Sequence, residues 1–205
     1  MTATDDEENK LAKLGYKLIV GCDEAGTGSL AGPLYVGAVI FPLGLDYQAL
    51  LPGLNDSKQK TEEQREVLYP LIKQHALAWA VETASVEEIE RLNVYWAKFL
   101  AIRRALSKLS PQPDFVIMDG NKVIPEITTP QVALVKADAK SISVAAASIL
   151  AKVDRDRYMK ELAKEVHPDF NWGSNKAYYC KTHVDALKKH GATKWHRTKF
   201  IEKLL

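Results

Sequence analysis

The chain has 205 residues, which suits one domain with a small terminal appendage, and 46% hydrophobic residues are enough for a core. A formal charge of +2 does not announce a nucleic-acid binder, so any basic surface must come from local clustering. There is no signal peptide and no apolar run long enough to cross a bilayer, and Cys22 and Cys180 are far apart, which together point to a reduced, cytoplasmic protein.

Residues 1–15 read as a mobile leader. Tyr16 to Val20 is apolar and β-branched, a strand, and Leu34 to Phe41 is a second. Between them an acid pair, Asp23 and Glu24, leads into a turn carrying Gly26, Gly28 and Gly32. Leu43 to Lys60 is a loop holding Leu54-Asn55-Asp56-Ser57-Lys58. Thr61 is a good N-cap for a helix whose apolar face is Leu68, Leu71 and Ile72. Ala76 to Ala84 is a strand, Ser85 caps a short helix containing Ile89, and Asn93 to Leu109 has helical spacing with Lys98, Arg103 and Arg104. Asp114 to Asp119 is a short buried strand ending on an acid; Gln131 to Lys136 is another, with Asp138 close behind. Lys140 to Lys164 is the longest helix, its first half small and apolar all round and therefore buried. His167-Pro168 breaks it, and a loop with Trp172, Tyr178 and Tyr179 follows. Thr182 to His190 is a helix closed by Gly191, and a last helix runs from about Arg197 to the end. Strands dominate early and helices late: an α/β sheet domain, residues 16–205, with a helical C-terminal cap over about 166–205.

Asp23, Asp119 and Asp138 each close a predicted strand, and ligands gather at strand ends in open α/β sheets. Carboxylates crowded there repel unless a cation sits among them, and Mg²⁺ or Mn²⁺ prefers such oxygen donors. Each acid taken singly also reads as a solvated strand-end residue, and the glycine-rich stretch as a polar hairpin turn.

Several segments, in order from about residue 17 to 200, resemble the type 2 ribonuclease H family, ribonuclease HII. They are Gly21-Cys22-Asp23-Glu24-Ala25-Gly26 with Leu30-Ala31-Gly32-Pro33, Leu54 to Lys58, Met118-Asp119-Gly120-Asn121, Lys136 to Ser141, Ala145 to Val153, Arg155-Asp156, and His190-Gly191-Ala192-Thr193 with His196-Arg197. The resemblance implies an RNase H-like fold, a mixed five-stranded sheet flanked by helices. It implies metal-dependent cleavage, with Mn²⁺ or Mg²⁺, of RNA in RNA/DNA hybrids and at ribonucleotides in duplex DNA; nothing in the sequence suggests more than a monomer. It makes Asp23, Glu24, Asp119 and Asp138 the catalytic metal-binding acids.

For substrate binding the resemblance implies Gly26, Thr27, Gly28 and Tyr178; Lys58 is expected to meet the phosphate backbone, a solvated loop lysine being its other reading. The family's Gly-Arg-Gly turn reads Gly26-Thr27-Gly28 here, so a guanidinium is missing. Its Lys-Gly-Tyr-Gly-Thr segment reads Lys176-Ala177-Tyr178-Tyr179-Cys180, in which Tyr178 matches; a core aromatic is the other reading of that residue. Lys152 and Arg155 either meet phosphates or lie on a solvated face. His167, His183, His190 and His196 fit no common zinc spacing, and His196 is expected to pack or hydrogen-bond in the cap. Ribonuclease HIII, a sister type with a long N-terminal substrate-binding domain, is disfavoured by the roughly fifteen residues before the first strand. A hybrid-binding module that has lost catalysis is the remaining rival.

Overall fold

The apolar stretches assemble into one mixed sheet in the order β3-β2-β1-β4-β5. In the computed structural model, which describes residues 3–205, the elements are α1 (Asp6–Lys13), β1 (Ile19–Ala25), β2 (Leu34–Ile40), α2 (Tyr47–Leu50), α3 (Glu62–His75), β3 (Ala78–Ala84), α4 (Val86–Lys108), β4 (Phe115–Asp119), β5 (Gln131–Leu134), α5 (Ile142–Leu162), α6 (Trp172–Asn175), α7 (Lys181–His190) and α8 (Thr198–Ile201). Central β1 pairs antiparallel with β2 and parallel with β4; β2 pairs antiparallel with β3, and β4 parallel with β5.

Alternation along the strands divides the core in two. Val20, Cys22, Val36, Ala38, Val116 and Met118 pack against α4 on one face. Ile19, Val39 and Ile117 face the other side, covered by α5 with α3 behind it. The small, apolar first half of α5 is buried throughout, as its composition requires. It comes close enough that a Cβ on Gly21 would lie 2.2 Å from the Val144 nitrogen, and one on Gly37 2.2 Å from the Ala147 oxygen. Two glycines on adjacent strands thus set how deeply this helix seats.

Local signals place most boundaries. Thr61 and Gln64 form a capping box on α3, and Ser85 and Glu88 one on α4. The two helices expected around residue 93 form one continuous stretch of 23 residues with a kink, longer than the 21 residues of α5, the helix expected to be the longest: Asn93 sits at φ 63°, and its Oδ1 accepts the N–H groups of Tyr95 and Trp96 as an internal N-cap.

Four expectations need correction. First, β1 begins at Ile19 and runs through the acid pair to Ala25, so the acids lie in the strand's last residues. Second, the leader contains α1 (Met1 and Thr2 lie outside the described residues). Buried Glu8 of α1 accepts hydrogen bonds from Ser141 Oγ, Ser143 N and Ser143 Oγ, tying α1 to the start of α5. Third, the loop before α3 holds α2 and a 3-10 turn, Ser57–Gln59. Fourth, the last helix starts where expected, after extended Arg197, but is only Thr198–Ile201 and gives way to turns before the end of the chain. No helix among the described residues is long and apolar enough to cross a membrane.

Candidate active site: carboxylates beneath a glycine turn

Residues of one parity share a face. Cys22 of β1 stands in register with Met118 of the parallel neighbour β4, so Asp23 and Asp119 follow side by side on the α5 face. Glu24 points from the opposite face, yet Asp23, Glu24 and Asp119 line one cleft of about 400 Å³, because β1 ends there and the chain turns at Gly26, φ 94°. Asp23 is 6% exposed. Burial first, then Glu24 and Asp119, push its carboxyl well above the usual carboxylate range. Asp138 comes from the 3-10 turn Ala137–Ala139 after β5, entered through Lys136 in the left-handed region. Asp119 Oδ1 accepts the Ala137 N–H at 2.8 Å, which anchors that turn to β4. Asp138 does not line the cleft itself, but it is close enough that burial, then Asp56 and Asp119, raise its pKa.

Gly26, Thr27, Gly28, Ser57, Lys58, Lys152 and Tyr178 also line the cleft, Thr27 donating its hydroxyl to Glu24. Burial alone would lower the Lys58 ammonium, but Asp56, Asp23, Asp138 and Asp119 carry it above its ordinary value. Arg65 fixes the Lys58 turn, donating to the Ser57 and Lys60 carbonyls and pairing with buried Asp156 of α5 at 3.2 Å. Lys152 pairs with the same Asp156 at 2.7 Å, and its Nζ lies 5.3 Å from the Tyr178 ring centroid.

Two buried arginines hold the glycine turn. Arg155, offered above for phosphate contact or a solvated face, does neither. It is fully buried and donates to the carbonyls of Pro33, Ala31 and Lys176 and to Ser29 Oγ. A Cβ on Gly26 would fall 2.0 Å from its Nε, so this glycine serves both the turn and the arginine. Arg197 donates twice to the Gly32 carbonyl and once to that of Thr27. Sequence reading missed both, since nothing local distinguishes a buried arginine from a solvated one; only their places within the motif blocks marked them.

Tyr178 is half-buried against the cleft, not in the core. Lys176 and Ala177 before it both have positive φ, and its carbonyl lies 3.1 Å from His183 Nδ1. His183 Nε2 accepts Trp172 Nε1–H at 3.1 Å and faces His196 Nε2 at 3.1 Å, while His196 Nδ1 accepts the Thr193 N–H. This donor order needs both rings neutral. Burial lowers the His183 pKa, and burial followed by His183 lowers that of His196 to about 4. The expectation of a hydrogen-bonded His196 in the cap is met. His167 and His190 stack at 3.7 Å beside Asp169, which also accepts from Lys189.

Comparisons with known proteins bear on the family and the fold. Residues 20–203 match the family model of ribonuclease HII. The ribonuclease HII of Phocaeicola vulgatus is 48% identical over 88% of this chain and 87% of its own, and that of Parabacteroides distasonis 45% identical over 90% of each. Among solved structures, the ribonuclease H2 from Pyrococcus horikoshii superposes with a TM-score of 0.74 at 26% identity, covering 91% of this chain and 96% of its own. With a family match across nearly all of β1 to α8, and relatives this similar over most of both lengths, the chain belongs to the ribonuclease HII family.

Proposed function

We propose that this chain is a divalent-metal-dependent endonuclease. It hydrolyses the RNA strand of RNA/DNA hybrids and cuts at ribonucleotides embedded in duplex DNA, leaving 3′-hydroxyl and 5′-phosphate ends. The observation that carries the reading is the crowding of Asp23 against Glu24 and Asp119 in a cleft faced by Lys58. A buried carboxyl pushed up by its neighbours calls for a counter-cation, and an all-oxygen donor set suits Mg²⁺ or Mn²⁺. Asp23, Glu24, Asp119 and Asp138 would hold it. When bound, such ions supply a water of lowered pKa and neutralise the leaving 3′-oxygen.

The remaining steps belong to the chain. Lys58 meets a phosphate and the backbone N–H groups of Gly26 to Gly28 meet phosphate or a 2′-hydroxyl, while Tyr178 packs on the ribose.

The test is cleavage of a labelled hybrid and of a duplex with one ribonucleotide, with and without Mn²⁺. Metal-dependent cuts in both support the proposal; tight binding without cuts would make the chain a hybrid-binding module. Thr27 offers a hydroxyl where the family pattern has a guanidinium. A lost charge-assisted contact weakens an interaction by about 1.5–3 kcal/mol, which matters most at a single ribonucleotide. Thr27→Arg should therefore raise kcat/KM on the one-ribonucleotide duplex more than on the hybrid, and equal gains would remove residue 27 from junction preference.

A further inference from the structure

Glu24 differs from the other acids. Among the described residues it is the one of the four that is ion-paired with a basic side chain: Lys98 Nζ lies 3.7 Å from Glu24 Oε1. Both side chains are mostly shielded, 16% and 18% exposed, so solvent screens the pair only in part. Thr27 Oγ1 donates to that same oxygen at 3.1 Å. Lys98 arrives from α4, on the face of the sheet opposite α5, and its ammonium lies 5.5 Å from the Phe99 ring centroid. Its helix starts a new N-cap at Asn93, which fixes where residue 98 falls. The ammonium is therefore delivered to Glu24 by a packed helix and not by a loose loop.

We propose that Lys98 is a resident counter-ion of Glu24 that competes with the divalent cation, so that metal loading at this carboxylate must displace an ammonium. The inference rests on the metal site proposed above. A carboxylate oxygen already facing an ammonium and accepting a hydroxyl hydrogen is a poorer donor to a dication. The ammonium also repels that dication after exchange, since a charge within a few ångströms and partly shielded is felt strongly. Lys98 is thus a positioning residue that sets the metal concentration at which the site fills, with Thr27 as a weaker, uncharged co-holder of the same oxygen.

The experiment is calorimetric titration of Mn²⁺ into the full chain, without nucleic acid, for wild type, Lys98→Met, Lys98→Arg, Glu24→Gln and Glu24→Gln with Lys98→Met. Methionine keeps the apolar stem and removes the charge. Arginine keeps the charge and controls for altered packing, and Lys98→Gln, also uncharged and with the same expectation, serves where methionine perturbs folding. Lys98→Met should bind Mn²⁺ about tenfold tighter, while Lys98→Arg should stay near wild type. In the Glu24→Gln background, Lys98→Met should change little, because the partner is gone. Unchanged or weaker Mn²⁺ affinity in Lys98→Met, with wild-type binding still sensitive to Glu24→Gln, would overturn this inference alone. Mn²⁺ binding indifferent to Glu24→Gln would overturn the site assignment and this inference with it.

Discussion

The floor and the wall of the cleft are built in different ways. Asp23 and Asp119 are placed by backbone pairing between neighbouring parallel strands, with α5 seated on Gly21 and Gly37 beneath. The glycine turn and Tyr178 are placed by side chains from distant parts of the chain. Arg155 and Arg197 reach carbonyls 122 and 165 residues away, and a neutral histidine pair lies under the Tyr178 carbonyl. The floor therefore inherits the rigidity of the sheet, while the wall depends on a few buried polar groups that can fail one at a time. In the proposed enzyme this separates chemistry from substrate selection.

The largest expected effect tests the floor. Asp119→Asn should lower kcat about 1,000-fold while hybrid binding and melting temperature stay near wild type, because one charge is lost without disturbing pairing. Near-normal turnover in saturating Mn²⁺ would remove Asp119 from the floor. Next comes the wall. Arg155→Met leaves the carbonyls of Pro33, Ala31 and Lys176 buried without their donor and should cost about 3 kcal/mol in urea unfolding. If stability falls but one-ribonucleotide and hybrid cleavage fall equally, the wall does not select substrate.

A smaller effect sharpens the electrostatic side. Lys58→Ala should weaken hybrid binding by about 1.5 kcal/mol and flatten the slope of log K against log salt by about one. An unchanged slope would show that Lys58 touches no phosphate. The smallest effect concerns pH. His196 titrates near 4 in the folded chain, against about 6.5 when unfolded. Its neutral pairing thus stabilises fully above pH 6.5 and is lost as the pH falls toward 4. Between pH 7 and 5 wild type should lose about 1 kcal/mol more stability than His196→Gln, allowing for partial solvent screening. Parallel pH curves for the two proteins would show that the ring is not held neutral.

What the sequence revealed follows the same division. The acids were legible because each closes, or nearly closes, an apolar stretch, and a sheet's parity and register do the rest. The capping boxes at Thr61 and Ser85 and the break at Asn93 were legible because they act within three residues. Arg155 and Arg197 were not, because burial of a guanidinium is decided by acceptors far along the chain. Helix α1 was missed for a related reason: Glu8 reads as one acid in a polar stretch, and its partners, Ser141 and Ser143, lie beyond residue 140. The pairing of Lys98 with Glu24 depends on how α4 crosses the sheet, which no local spacing encodes.

The acceptors of the two buried arginines carry one more consequence. Arg155 and Arg197 grip the turn almost wholly by main-chain oxygens, at Thr27, Ala31, Gly32, Pro33 and Lys176. A carbonyl is the same whatever side chain it carries, so the scaffold does not read the residue at position 27. That position can drift during descent, or be rewritten at the bench, without loosening its own support. Position 27 alone is thus a socket whose side chain can be exchanged with little loss of fold, while Gly26 and Gly32 are fixed by what packs against them, and an exchange at 27 also takes the Thr27 hydroxyl away from Glu24.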